Sequence, residues 1–223
     1  MHQRGELVAR HWGRRQWLLT CFLLAAIAAG WAVNLLYERT DAKRIDQHFG
    51  EIADQLVSSL SDRLDTYEHG LRGARGAIIA SGPQLSRERF AAYSRSREYA
   101  REFPGVGGYG YIQRVPLPEI QEFQERARRD GMPDFSIRQL SPHDGERFVI
   151  LYLEPAEGNR SALGLDIASE QNRSTSAREA AQTGRAVLSH PITLVQREEG
   201  VRHGFLLLLP VYKENADLST GDA

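Results

Sequence analysis

The sequence predicts an α+β protein: an apolar helix near the N-terminus, a long second helix, and a domain in which short helices are interspersed with antiparallel strands. Three observations predict it. Residues 17–37, "WLLTCFLLAAIAAGWAVNLLY", run 21 positions without a charged side chain. From Ile45 to Ile78, apolar or small residues recur at a mean step of about 3.7, the period of one helical face. Beyond residue 83, aromatic and β-branched runs are separated by Gly, Pro and Asp turns, without the regular strand–helix repetition of a parallel sheet.

The uncharged run is long enough, at about 31 Å, to cross one hydrocarbon core, and predicts a transmembrane helix over 17–37. Trp17, Trp31 and Tyr37 lie near its ends, where amphipathic rings favour the interface. A cleaved leader is the alternative, since "AAIAAG" offers small residues to a peptidase, but the run is longer than a leader's core. Arg4, Arg10, Arg14 and Arg15 precede the span, while Arg39, Lys43 and Arg44 follow it among Glu38, Asp41 and Asp46. The positive-inside rule then makes 1–16 a cytoplasmic leader and places the rest outside an inner membrane, periplasmic or extracellular.

Composition narrows the partners. The chain of 223 residues, 41% apolar, supports one ordinary core with accessory elements, or two small domains. A net charge of −1 argues against the broad basic surface that nucleic acid requires. Lys43 and Lys213 are the only lysines against 26 arginines, the bias of GC-rich bacterial coding, so the sequons at Asn159 and Asn172 read as ordinary polar positions. Cys21 stands alone, which excludes an intrachain disulfide.

Residues 38–82 read as a stalk helix. Its stripe is Ile45, Phe49, Ile52, Leu56, Leu60, Leu64, Tyr67, Leu71, Ala74 and Ile78; the other faces are charged or polar. Such a stripe packs on a globular partner or on a second copy, and both readings stay open. Gly70, Gly73 and Gly76 weaken the helix and Ser81-Gly82-Pro83 stops it. A new helix starts at Ser86, an N-cap with Arg89 three places on, turns Phe90, Tyr93 and Tyr99 to the core, and ends at Phe103-Pro104-Gly105.

"FPGVGGYGYIQRVP", residues 103–116, holds a literal G-x-G-x-x-G at Gly105, Gly107 and Gly110. A dinucleotide turn follows a strand and opens a helix. Here the order is helix, glycines, strand. A kinase lid needs a lysine on a nearby strand and an H-R-D loop, and neither occurs. The glycines therefore read as a tight turn and a place of close backbone packing ahead of a strand over 109–115. A helix over 119–130 follows, anchored by Ile120, Phe123 and Ala127, then strands at 135–140 and 147–154. A helix over 172–183 ends at Gly184, and strands return at 186–196 and 203–213.

No G-x-S-x-G, H-E-x-x-H or C-x-x-C is present, so no catalytic residue, metal site or cofactor is expected. His143-Asp144 reads as a solvated turn, and His190 and His203 as structural or surface histidines.

"FPGVGGYGYIQRVP", "ILYLEPAEGNRSALGLDIASEQNR", "AAQTGRAVLSHPITLVQ" and "GFLLLLPVYK", in this order and spacing, resemble the CHASE domain, an extracytoplasmic sensor module. The resemblance covers Ile45 to Lys213. It implies a membrane-rising helix followed by tandem PAS-like domains, a small-molecule ligand in the membrane-distal one, and a homodimer. It also implies that the chain itself is not an enzyme, the output histidine kinase or cyclase lying elsewhere. Residues 83–213 would form the membrane-distal PAS-like domain, and 214–223 would begin a second one that is incomplete.

Plant CHASE domains that resemble this segment bind cytokinins through an acidic side chain, a backbone contact and a small polar residue. The matching positions are Arg173, Val195 and Leu208. An arginine cannot accept the adenine N–H bonds, so the plant geometry does not carry over. Arg173 instead pairs with a ligand carboxylate or phosphate, or forms a plain salt bridge to Glu170 or Glu179. The fold implied by the resemblance makes Tyr109 or Tyr111, Gln113, Thr193, Val195, Phe205 and Leu207 or Leu208 the pocket wall, each of them also serviceable as core. Asp166, an acid inside an apolar run, is either a ligand contact or a helix cap. An envelope-anchored scaffold that binds a protein rather than a small molecule is the second functional reading.

Overall fold

The computed structural model describes residues 4–82, 85–195 and 203–212. Their contacts group the chain into two units, residues 1–61 and 62–223. Helix α1 is Arg4–Ser81. In the first unit its large apolar side chains, among them Trp17, Phe22, Trp31, Phe49 and Leu56, are exposed. Among the described residues no helix is long and apolar enough to cross a membrane; the side chains at 18 and 35–37 of the expected span lie outside them.

The second unit begins with the last turns of α1 and continues through α2 (Arg87–Arg95), α3 (Tyr99–Glu102), β1 (Tyr109–Val115), α4 (Ile120–Arg129), β2 (Arg147–Glu154) and α5 (Gln171–Thr183). Four two-residue strands follow: β3 (Val187–Leu188), β4 (Ile192–Thr193), β5 (His203–Gly204) and β6 (Leu207–Leu208). The expected helix from Ser86 starts there, with the Ser86 hydroxyl accepting from the Arg89 N–H. It breaks at Ser96–Glu98 into α2 and α3, and the Glu102 carboxylate accepts the Glu98 N–H at the break.

The architecture is α+β, but the strands form three separate two-stranded pieces, β1–β2, β3–β6 and β4–β5. Three expected strands change accordingly, the one over 203–213 shrinking to β5 and β6, with residue 213 outside the described residues. Residues 135–140 are not a strand: a single bridge joins Arg138 to Leu165, the Gln124 side chain accepts from Ile137 N–H and Ser169 Oγ from Leu140 N–H. Side chains satisfy amides there that a ladder would otherwise pair. Residues 186–196 split into β3 and β4 around Pro191, which has no N–H to donate.

The β1–β2 ladder is antiparallel, with a bulge where Tyr111 pairs Tyr152, Ile112 pairs Ile150 and Leu151 is the extra residue. Leu151 and Tyr152 consequently face the same side, and the alternation flips beyond them. One face packs Tyr109, Val115, Val149, Leu151 and Tyr152 against Ala74 of α1, Phe90 of α2 and Phe123 and Ala127 of α4. The other packs Ile150 against Ala162, Leu165, Ile167 and Ala177 of α5, with Ile112, Phe148, Leu153, Leu163, Val195 and Leu208 only half-buried around them. Burying a large apolar side chain such as Phe123 contributes about 2–3 kcal/mol.

The glycine run behaves as a turn and a packing device. Gly105 has φ +91. A Cβ on Gly110 would stand 3.0 Å from both Leu153 Cδ1 and the Tyr152 carbonyl. Asn159 fastens the run from outside, its amide donating to the Gly107 and Pro155 carbonyls. The glycines of α1 have a similar use: a Cβ on Gly70 would lie 2.6 Å from Phe103 Cζ, and one on Gly73 3.3 Å from the Tyr93 hydroxyl. They let rings from later in the chain close onto the helix, and α1 runs through both to Ser81.

Candidate functional site

The expected site residues fall on opposite faces of the β1–β2 ladder. Tyr109 and Tyr111 belong to the face toward α1 and α4, because odd positions of β1 point that way. Tyr109 is buried and its hydroxyl donates to the Gly70 carbonyl at 3.0 Å. Tyr111 and Gln113 line a concavity of about 670 Å³ with Ile78, Leu85, Arg126 and Tyr152. The Tyr152 hydroxyl donates to Asp130 at 2.6 Å. Burial raises the Tyr109, Tyr111 and Tyr152 phenols above the ordinary tyrosine value, and for Tyr152 the Asp130 carboxylate adds to it.

Arg173, Thr193, Val195 and Leu208 gather on the other face, so no single wall unites the two sets. Arg173 is the third residue of α5, and Ala177, one turn on, faces the same way into the aliphatic cluster that Val195 and Leu208 complete. Thr193 takes part through its backbone: its carbonyl accepts from Arg173 Nη2 at 2.7 Å while its side chain is exposed. Phe205, expected in the wall, is 59% exposed, because Gly204 and Leu207 pair on either side of it without burying it.

The Arg173 guanidinium is incompletely served. Its side chain is 4% exposed, and Nη1 is buried without a hydrogen-bond partner. Of the two carboxylates expected, it is Glu170 that approaches, 4.0 Å from Nε. That carboxylate caps α5, accepting from the Asn172 and Arg173 N–H groups at 3.0 and 3.1 Å. Burial depresses the Arg173 pKa, and the Glu170 charge only partly offsets it. Arg97 Nε also lacks a partner, but that guanidinium holds Glu102 at 2.5 Å and is 29% exposed.

Asp166 takes the cap reading. Its Oδ1 accepts from Ala168 N–H at 3.0 Å and Phe148 N–H at 2.9 Å, and the residue is fully buried. His143 lies in a largely exposed bend, as its sequence neighbours imply, but its half-buried ring donates from Nε2 to Asp166 Oδ2 at 2.7 Å. Its Nδ1 accepts the Gly145 N–H at 3.2 Å, so one neutral tautomer serves both bonds. Arg147 Nε stands 3.7 Å from the same carboxylate. Sequence reading missed this cluster because His143 and Asp166 are 23 positions apart. The clue was the acid itself, which an apolar run tolerates only when its partners are supplied.

Among the described residues no cluster of His, Cys, Asp or Glu is arranged to hold a metal ion.

The model of the CHASE domain family matches residues 83–223. The chain is also similar to a protein called "Probable histidine kinase 4" from Oryza sativa subsp. japonica, 26% identical over 216 residues. That match covers 90% of this chain and 20% of the rice protein, so the chain spans about a fifth of the relative's length.

Proposed function

The chain belongs to the CHASE domain family, and on that premise we propose that it is the small-molecule-sensing part of a membrane receptor. A CHASE domain is a sensory domain and not a catalytic one; the kinase portion of the rice relative lies outside this match. The proposed binding face is the one carrying Arg173, Val195 and Leu208, with the Thr193 carbonyl held at its edge. One observation supports this most: a buried guanidinium with an idle N–H lies one turn of α5 from Ala177, a member of the cluster rimmed by half-buried apolar side chains, the mix of apolar wall and few polar anchors that ligand sites use. Tyr109, Tyr111 and Gln113, together with Asp166, serve the packing of the domain in this reading.

The remaining parts follow from the same proposal. Residues 17–37 anchor the chain in an inner membrane, supported by the uncharged run and by outward-facing Trp17, Phe22 and Trp31. Positive residues before the span leave the sensor on the periplasmic or extracellular side. Phe49, Ile52, Leu56 and Leu60 expose one apolar stripe on α1, the surface through which two copies pair as a homodimer. Ligand binding is relayed through that helix to an output domain such as a histidine kinase or diguanylate cyclase.

The test is a metabolite library screened by thermal unfolding of the full chain in a neutral detergent. A cognate molecule raises the midpoint, because it binds the folded state alone. A library without any stabilising member, together with a stoichiometric protein partner that copurifies, would replace this reading with an anchored scaffold.

A further inference from the structure

We infer that the molecule sensed on the α5 face carries a compact anionic head, a carboxylate or a phosphate ester, on an apolar body, and that Arg173 is the residue that reads the head. This rests on the sensing role proposed above and assigns its ligand class. The geometry carries it in three steps. First, the guanidinium is buried with Nη2 held on the Thr193 carbonyl at 2.7 Å, which leaves Nη1 a buried donor with no partner. Buried donors left unpaired are costly, so an oxyanion at Nη1 removes that cost.

Second, the nearest counter-ion to the positive charge stands at the outer limit of an ion pair. Glu170 stands at 4.0 Å and its oxygens are engaged by the first amides of α5. A neutral ligand would satisfy the hydrogen bond but leave the charge as it is; an anion answers both. Third, the body of the ligand has a surface to cover. Ile112, Phe148, Leu153, Leu163, Val195 and Leu208 are half-buried around the same cluster, with the Arg178 guanidinium 5.7 Å over the Phe148 ring. A polar or polyhydroxylated body would gain little there.

The position of Arg173 also gives the head a mechanical consequence. Arg173 joins α5 to β4, and Asn172 joins the same helix end to the Pro191 carbonyl at 2.9 Å. An anion that draws on the guanidinium therefore acts on the β4–β5 pair through one hydrogen bond.

Isothermal titration of the full chain in a neutral maltoside detergent tests this with four probes: benzoate, phenyl phosphate, benzamide and inorganic phosphate. Benzoate or phenyl phosphate is expected to bind at least tenfold tighter than benzamide, and inorganic phosphate alone more weakly than phenyl phosphate. Which acid binds better distinguishes a carboxylate from a phosphate ester. Arg173→Gln is expected to abolish the tenfold preference, and Arg173→Lys to reduce it, because a single ammonium cannot hold Thr193 and an oxyanion in the same fork. Benzamide binding as tightly as both acids would overturn the inference, as would an Arg173→Gln chain that keeps the preference or an absence of binding by both acids. The acid–amide comparison on the unmodified chain stands even if Arg173→Gln does not fold. A neutral library member that stabilises the chain while the acids fail would remove the anionic head and leave the sensing role intact.

Discussion

The two faces of the β1–β2 ladder are held in different ways. Toward α1 and α4, rings pack on rings: Phe90 stands 5.5 Å from Tyr152, Tyr99 5.6 Å from Tyr109 and Phe123 5.7 Å from Phe135, centroid to centroid. Their hydroxyls are all placed, Tyr109 on Gly70, Tyr152 on Asp130 and Tyr99 accepting from Ser94. Toward α5 the side chains are aliphatic and smaller, and polar ties do the joining: Asp166 gathers three donors, and Arg173 reaches Thr193. Both faces keep half-buried apolar surface, and the second also retains the idle Nη1 of Arg173.

The largest effect expected from breaking the contrast lies on the polar-tied face. Gly164 has φ +79, and a Cβ there would stand 2.2 Å from the Ser136 carbonyl oxygen. Gly164→Ala is expected to cost about 4 kcal/mol, read as a shift in the chemical-denaturation midpoint. Neither backbone can yield, since Gly164 N–H donates to Ile150 and its carbonyl accepts from Arg138. Asp166→Ala follows, at about 3 kcal/mol, because it strands the Phe148 and Ala168 N–H groups and the His143 ring in a buried site. Asp166→Asn should recover part of that loss by keeping an acceptor. An unchanged midpoint in Asp166→Ala would mean that the cap does not hold this face together.

On the ring-packed face the expected effects are smaller. Gly70→Ala gains about 1 kcal/mol of helix propensity but drives a methyl into the Phe103 ring, a clash of about 1–3 kcal/mol, so a net loss of about 1 kcal/mol is expected. A stabilised variant would show that the ring moves aside freely. The smallest effect is on pH dependence. The folded-state pKa values of Tyr109 and Tyr152 are raised by burial, so their contribution is fully present below the ordinary tyrosine value of about 10 and is lost as pH rises beyond it. Unfolding midpoints taken across the alkaline range should fall, and replacing both residues with Phe should flatten that fall.

Much of the fold was legible because its signals are local. The α1 stripe, the Ser86 cap, β1 and β2, and α5 with its end at Gly184 follow from periodicity and capping chemistry within a few residues of each position. Residues 135–140 were misread because their strand-like composition is real, but the amide partners come from Gln124 and Ser169, far along the chain. The candidate site was half legible. Arg173, Val195 and Leu208 lie on one side of the ladder, whereas Tyr109, Tyr111 and Gln113 turn to the other.

The sequence by itself located α4, α5, β1 and β2 and showed that the G-x-G-x-x-G is no phosphate loop, since each depends on neighbouring residues and their order. Only the tertiary structure decided which face each strand residue serves, because parity in β2 shifts at the Leu151 bulge. It alone showed that Gly70 makes room for Phe103, that His143 finds Asp166, and that one nitrogen of Arg173 is left idle. Those are properties of contacts between residues distant in sequence, and whether a buried donor has a partner is a fact about its surroundings rather than about the residue.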